Sequence, residues 1–225
     1  LPISWALRRA VANATMASRH RVVRGERARK AERLLPMISS CCFDLETSSL
    51  NANFGIVLCG VIKGSDKKKP HIFRGDSYEP WKNGKRSDDS LIVKDIVACL
   101  SQYDVLVAHN GARFDVPFLR TRMAKWEPHL EWGTFPNKKL VDPVQLARNK
   151  LRMSSNSLAS LASLIGAGEK TVVDADMWLR ASLDGDSVAM DYIVKHCIID
   201  VAILDKVADA VKPYCSVFNS YGSGY

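Results

Sequence analysis

Asp44 and Glu46 stand two residues apart in Phe43-Asp44-Leu45-Glu46-Thr47, within an apolar run that opens with Cys41 and Cys42. Such a run reads as a buried strand, and residues i and i+2 of a strand share a face. Two carboxylates held side by side with little water repel each other unless a cation lies between them. The plainer reading is one acid at a strand end with its neighbour turned to solvent. Two later segments weigh against it. In Asp104–Asp115 an apolar strand, Val105 to Ala108, runs into a turn containing Asn110 and Gly111. A helix then begins at Asp115, with Val116, Leu119 and Met123 at helical spacing. In Tyr192–Val201 the periodicity is again helical, so His196 and Asp200, four residues apart, share one face. Asp44, Glu46, Asp115 and Asp200 thus come from three separate elements. They form an oxygen donor set suited to a pair of hard divalent cations.

This order of motifs resembles the DEDD superfamily of 3′–5′ exonucleases, the DnaQ-like enzymes that include polymerase proofreading domains. The matching residues are Asp44 and Glu46, then Asn110, Phe114 and Asp115, then His196 and Asp200. Asp142-Pro143-Val144-Gln145-Leu146-Ala147, followed by a Ser/Asn-capped helix near Ser155–Leu161, is similar to a further stretch common in that superfamily. The resemblance covers about residues 38–210. It implies an α/β, ribonuclease-H-like layered fold with a mixed central sheet flanked by helices. It also implies two divalent cations, Mg2+ or Mn2+, at Asp44, Glu46, Asp115 and Asp200, with His196 as general base. The substrate would be nucleic acid with a free 3′ end, single-stranded or frayed, with DNA favoured. Leu45, Thr47 and Ser48 would line the terminal nucleotide, and Asn110 and Phe114 would join them. The last motif departs from the family pattern. His196-x-x-x-Asp200 combines the histidine of one subgroup with the spacing of the tyrosine subgroup, and Tyr192 lies too early to replace it. An exoribonuclease and a catalytically silent binding module on the same fold are the alternatives. A polymerase or replication partner is left open.

The 225 residues fit one domain of ordinary size, with 47% hydrophobic and 25% charged residues. No apolar run approaches the roughly 20 residues that span a bilayer, so no membrane partner is expected. Six cysteines, without a Cys-x-x-Cys pair and mostly in apolar runs, read as buried thiols of a reducing intracellular compartment, the cytoplasm first. The charge is uneven. Residues 1–35 hold nine Lys and Arg against Glu26 and Glu32, a net +7 of the whole chain's +8. That arm suits contact with a nucleic-acid backbone. An Arg- and Ala-rich start also resembles an organelle transit segment. Met16 offers an alternative start, which would make residues 1–15 an upstream extension. The expected organisation is an arm at 1–35, a catalytic domain at 36–215 and a flexible tail at 216–225.

Within the domain the patterning predicts strands at Ser40–Glu46, Phe54–Lys63, His71–Arg74, Val105–Ala108 and Lys139–Val141. Helices are expected at Ser90–Leu100, Asp115–Trp126, Pro143–Asn149, Ser157–Ile165 and Val188–Val211. Asp88 or Asp89 would cap the first helix, whose buried stripe would be Leu91, Ile92, Ile96, Val97 and Leu100. Asp142 before Pro143 reads as an N-cap. Trp126, Trp132 and Trp178 read as packing residues. Asp174, Asp176, Asp184 and Asp186 read as a solvated loop, since their spacing lacks a full Ca2+-loop pattern.

Overall fold

The structure is a computed structural model and describes residues 38–126 and 138–219. The basic arm and Trp132 therefore lie outside the described residues. The chain divides after Ile38, and every element below belongs to Ser39–Tyr225.

Five strands form one mixed sheet: β1 Ser40–Thr47, β2 Val57–Gly64, β3 His71–Arg74, β4 Val105–Val107 and β5 Lys139–Val141. Their order is β3-β2-β1-β4-β5. β1 pairs antiparallel with β2 and parallel with β4, so it is central; β5 lies parallel at the far edge. A strand covered on both faces must be apolar on both, which is why Cys41, Cys42 and Phe43 are all buried. Toward its end β1 alternates, and Asp44 and Glu46 fall on one face while Leu45 falls on the other.

The Leu45 face joins a core with α2 (Ser90–Leu100) and α3 (Asp115–Trp126), through Phe43, Ile96, Leu100, Leu119 and Met123. A short helix, α1 (Glu79–Lys82), precedes them. The opposite face carries α7 (Ser187–Val211), a 25-residue helix. Its start is capped by Asp186, which accepts from Val188 N at 2.8 Å and Ala189 N at 3.1 Å. The buried stripe of α7 repeats every three or four residues, through Ala189, Ile193, Cys197, Val201, Leu204 and Val207. His196 and Asp200 lie within this stripe, at positions where a core helix normally places aliphatic side chains.

Along the chain between β5 and α7 come α4 (Pro143–Lys150), α5 (Leu158–Ile165) and α6 (Ala175–Leu179), which continues into a π-type turn at Arg180–Asp184. The expected acidic loop is thus largely helical. Asp174 caps α6, and Asp186 both caps α7 and pairs with Arg180. Short polar caps spaced this closely look like a loop because each helix is too brief to show a period.

Other departures are local. β2 starts at Val57 rather than Phe54, because Asn51 O accepts from the amides of Phe54 and Gly55 and closes a turn there. Phe54 is left exposed. Leu91 is exposed and Val93 takes its place in the stripe of α2. Asp89 occupies the N-cap position but its side chain caps nothing; Asp88 accepts from Ser90 N at 3.1 Å. The Asp89 carboxylate turns inward instead, to Arg122 Nη2 at 2.6 Å, Trp126 Nε1 at 2.6 Å and Val57 N at 2.9 Å. A buried carboxylate and guanidinium are tolerable only with their remaining donors and acceptors filled, and Arg122 Nη1 completes the set on Ala52 O at 2.9 Å. The chain continues beyond 215 in α8 (Ser216–Asn219).

Candidate active site

Opposed registers on β1 and α7 bring the acidic residues together. Alternation sends Cys42, Asp44 and Glu46 toward α7, where they meet Asp205, Cys197 and His196 in turn. Cys197 Sγ lies 3.4 Å from the carbonyl of Asp44 and 3.7 Å from its Oδ2. His196 Nε2 lies 3.9 Å from Glu46 Oε1 and 3.7 Å from Asp200 Oδ2. Immediately after Glu46 the β1–β2 register shifts, so that Glu46 faces Cys59 but Thr47 faces Val57. A bulge of this kind bends the strand end and re-aims its side chains.

Asp115 arrives from the first turn of α3. Its Oδ1 accepts the amide of Leu45 at 3.1 Å, which ties α3 to the backbone between Asp44 and Glu46. The preceding turn is shaped by two residues. Asn110 adopts a left-handed φ of 65°, a conformation asparagine tolerates better than most side chains. At Gly111 an added Cβ would come within 2.3 Å of the Ala108 Cβ, so only glycine fits. Asp142, at the junction of β5 and α4, clamps this turn. It accepts from Asn110 N at 2.9 Å and Ala112 N at 3.3 Å while also capping α4 through Val144 N at 3.0 Å. The N-cap role was legible in the sequence; the clamp was not.

The site lies between the sheet and α7, and burial there shifts the carboxyls. Burial, then the charge of Asp200, pushes Asp44 up to about 7, against the opposing pull of Lys170. Burial, then Asp44 and Asp200, pushes Glu46 up to about 9. Burial and Asp44 hold Asp115 well above the carboxylate range. Burial lowers His196 despite its acidic neighbour, so the imidazole is neutral at pH 7.

Four residues around the site were not assigned to it from sequence. Lys170 Nζ contacts Asp200 Oδ2 at 2.5 Å. Thr171 Oγ1 shares a 2.5 Å hydrogen bond with His196 Nδ1. Trp178 sets its ring edge-on to His196 at 5.5 Å, and it does the same to Tyr192 at 6.2 Å. Cys197 completes a group with Asp44 and Glu46 whose ligand atoms all lie within 4.8 Å of one another. The segment holding Lys170 and Thr171 has no periodicity or motif, so nothing local signals its position.

The residues proposed to touch substrate divide. Leu45 is buried in the core and its amide is taken by Asp115. Thr47 is buried and donates to Ser49 O at 2.9 Å, and Ser48 Oγ accepts from Ile56 N at 3.0 Å, so both hydroxyls knit the β1–β2 turn. Asn110 is half-buried, and Phe114 is half-buried with its ring 5.7 Å from that of Phe118. His109 faces inward, where burial lowers it to about 4 and Nδ1 has no hydrogen-bond partner among the described residues.

The donor set fits hard divalent cations. Burial and mutual repulsion raise Asp44, Glu46 and Asp115, which a bound cation would relieve, and Asp200 Oδ1 is buried with no hydrogen-bond partner among the described residues. A five-stranded mixed sheet flanked by helices, with acids converging from β1, α3 and α7, defines an RNase H-like nuclease fold. The family profile of the RNase_H superfamily matches residues 41–212, and the chain belongs to that superfamily. This agrees with the fold expected from the motif order. Among solved structures the chain is similar to a family B DNA polymerase from the hyperthermophilic archaeon Pyrobaculum calidifontis. The TM-score is 0.61 and the identity 18%, over 79% of this chain and 25% of that one. The chain therefore spans a quarter of the polymerase's length, and the likeness is one of fold. None of the curated proteins compared with the chain matches it. Among the described residues no helix is long and apolar enough to cross a membrane. All six cysteines are buried and free.

Proposed function

We propose that the protein is a two-metal-ion 3′–5′ exonuclease that hydrolyses the terminal phosphodiester of a single-stranded or frayed 3′ end, DNA before RNA, releasing mononucleotides. The observation that carries this reading is the convergence of Asp44, Glu46, Asp115 and Asp200 from three elements around a buried carboxylate oxygen that has no hydrogen-bond partner among the described residues. These four residues would hold two Mg2+ or Mn2+ ions, which when bound supply Lewis-acid activation of water and of the leaving oxygen. His196 is the proton acceptor. With Nδ1 held by Thr171, Nε2 is the nitrogen turned to Glu46 and Asp200. A neutral imidazole with its proton on Nδ1 leaves the Nε2 lone pair available for the proton of an incoming water. Trp178, packed edge-on, restricts rotation of the ring. Asp115 keeps the Leu45 backbone, and so the two β1 carboxylates, in place through its hydrogen bond. The basic arm at 1–35 would add sequence-independent affinity for the phosphate backbone.

The test uses 3′- and 5′-labelled DNA and RNA oligonucleotides, single- and double-stranded, with Mg2+, Mn2+ or EDTA. The reading requires mononucleotide release from the 3′ end with either ion and none in EDTA. Hydrolysis in EDTA, or cleavage only at internal positions, overturns it. Preference for the RNA substrates would assign an exoribonuclease instead. Binding of both polymers without hydrolysis would assign a silent binding module.

A further inference from the structure

Cys197 plays no part in the chemistry above. Hard ions such as Mg2+ select oxygen ligands and leave thiolates aside. Yet its sulfur lies fully buried against the two β1 carboxylates, 3.7 Å from Asp44 Oδ2. The donor atoms of Asp44, Glu46 and Cys197 all lie within 4.8 Å of one another. Donors bound to one tetrahedral ion at about 2.0–2.3 Å sit roughly 3.5 Å apart, so modest rotamer changes would close the group around it. Asp200, whose charge acts on both Asp44 and Glu46, keeps Oδ1 buried beside them with no hydrogen-bond partner among the described residues.

We infer that Asp44, Glu46 and Cys197 form a mixed carboxylate–thiolate site that takes a borderline or soft divalent cation, Zn2+ or Cd2+, in place of the hard ions. Binding breaks the S–H bond of Cys197, releases its proton to solvent and forms the sulfur–metal bond. No oxidant or reductant is involved. The same two carboxylates cannot serve both kinds of ion at once, so such a cation competes with Mg2+ for the site. The site goes beyond the nuclease reading and is tested without nucleic acid, so the two can fail separately.

The full chain, stripped of metal, is titrated with Cd2+ and followed by thiolate-to-metal charge-transfer absorption in the ultraviolet. The wild type should saturate near one equivalent, and excess Mg2+ should shift the titration to higher Cd2+. Cys197→Ser should lose the band and weaken Cd2+ binding at least about tenfold. Cys99→Ser, on α2 outside the site, should keep both. A band that persists in Cys197→Ser, or its absence from the wild type, overturns the inference. X-ray absorption on the Zn2+-loaded wild type checks it without any variant. One sulfur at about 2.3 Å among oxygen neighbours supports the site; a shell without sulfur, or with several sulfurs, refutes it.

Discussion

The Lys170 ammonium lies 2.5 Å from Oδ2 of Asp200, so the chain places one of its own cations against the carboxylate cluster. It offsets part of the repulsion that burial creates there, and it opposes the upward shifts of both Asp44 and Glu46. Removing it should therefore matter most when no other cation is present. Lys170→Met should lower the stability of the metal-free protein at pH 8 by about 1–3 kcal/mol, the cost of leaving a buried charged group unsatisfied. Saturating Mn2+ should close most of that gap. Thermal melts of both proteins with EDTA and with Mn2+ check this; an equal loss in the two conditions would mean that Lys170 acts only in packing.

Raised carboxyl values make the metal-free fold sensitive to alkali. A group whose folded value lies above its unfolded one stabilises the fold at acid pH. That contribution fades as pH rises through the folded value. For Glu46, moved from 4.5 up to about 9, the loss builds above pH 4.5 and is complete near pH 9, so the window from pH 7 to 8.5 lies within it. His109 and His196, both lowered by burial, work in the opposite sense only below their ordinary range, so they are silent there. In EDTA, stability should fall between pH 7 and 8.5 with a slope approaching about 1.4 kcal/mol per pH unit for each proton retained. Glu46→Gln should flatten that slope, which urea denaturation at a series of pH values would reveal. Buried thiols add to the decline only above that window.

Neutralising a metal-holding carboxylate should separate activity from stability. Asp44→Asn, Asp115→Asn and Asp200→Asn should each lower exonuclease rate by at least about 10²–10³-fold, since each removes a fixed charge from the reacting centre. For Asp44→Asn the metal-free melting temperature at pH 8 should hold or rise, because a repelling charge has gone. Rates and melts measured on the same preparations decide it; full activity in Asp44→Asn would remove Asp44 from the site.

His196→Ala should cost about 10²–10⁴ in rate, the range for a positioned general base. Thr171→Val should cost less, and Thr171→Ser should restore most of it, since the serine hydroxyl can still meet Nδ1. Single-turnover rates separate these effects from binding. Unchanged rates in His196→Ala would place the base elsewhere.

Asp142→Ala removes a helix cap and both bonds that hold the Asn110–Ala112 turn. The expected loss is about 1–3 kcal/mol, or roughly 3–10 °C in melting temperature for a chain of this size. Differential scanning calorimetry measures it directly.

Much of this molecule is determined locally. Period-two alternation after Phe43 put Asp44 and Glu46 on one face, and the four-residue step put His196 and Asp200 on another. The turn at Asn110 and Gly111 and the boundaries of α3 follow from Ala108, Asp115 and the helical spacing after it. These patterns were readable because strand and helix periods dictate which side chains share a face, whatever they later pack against. Sequence did not reveal which groups would converge on those faces. Lys170 and Thr171 come from a segment without periodicity, and reach Asp200 and His196 only because the chain between α5 and α6 folds back over α7. Trp178 read as packing, and packs, but its partner is His196. Asp89 read as a cap and became the centre of a buried ion pair, because Arg122, Trp126 and Val57 arrive from two other elements. Cys197 read as one of six buried thiols; only the register of α7 against β1 set it beside Asp44. Contacts between residues distant in sequence depend on helix and strand packing, which local periodicity constrains by face but not by register.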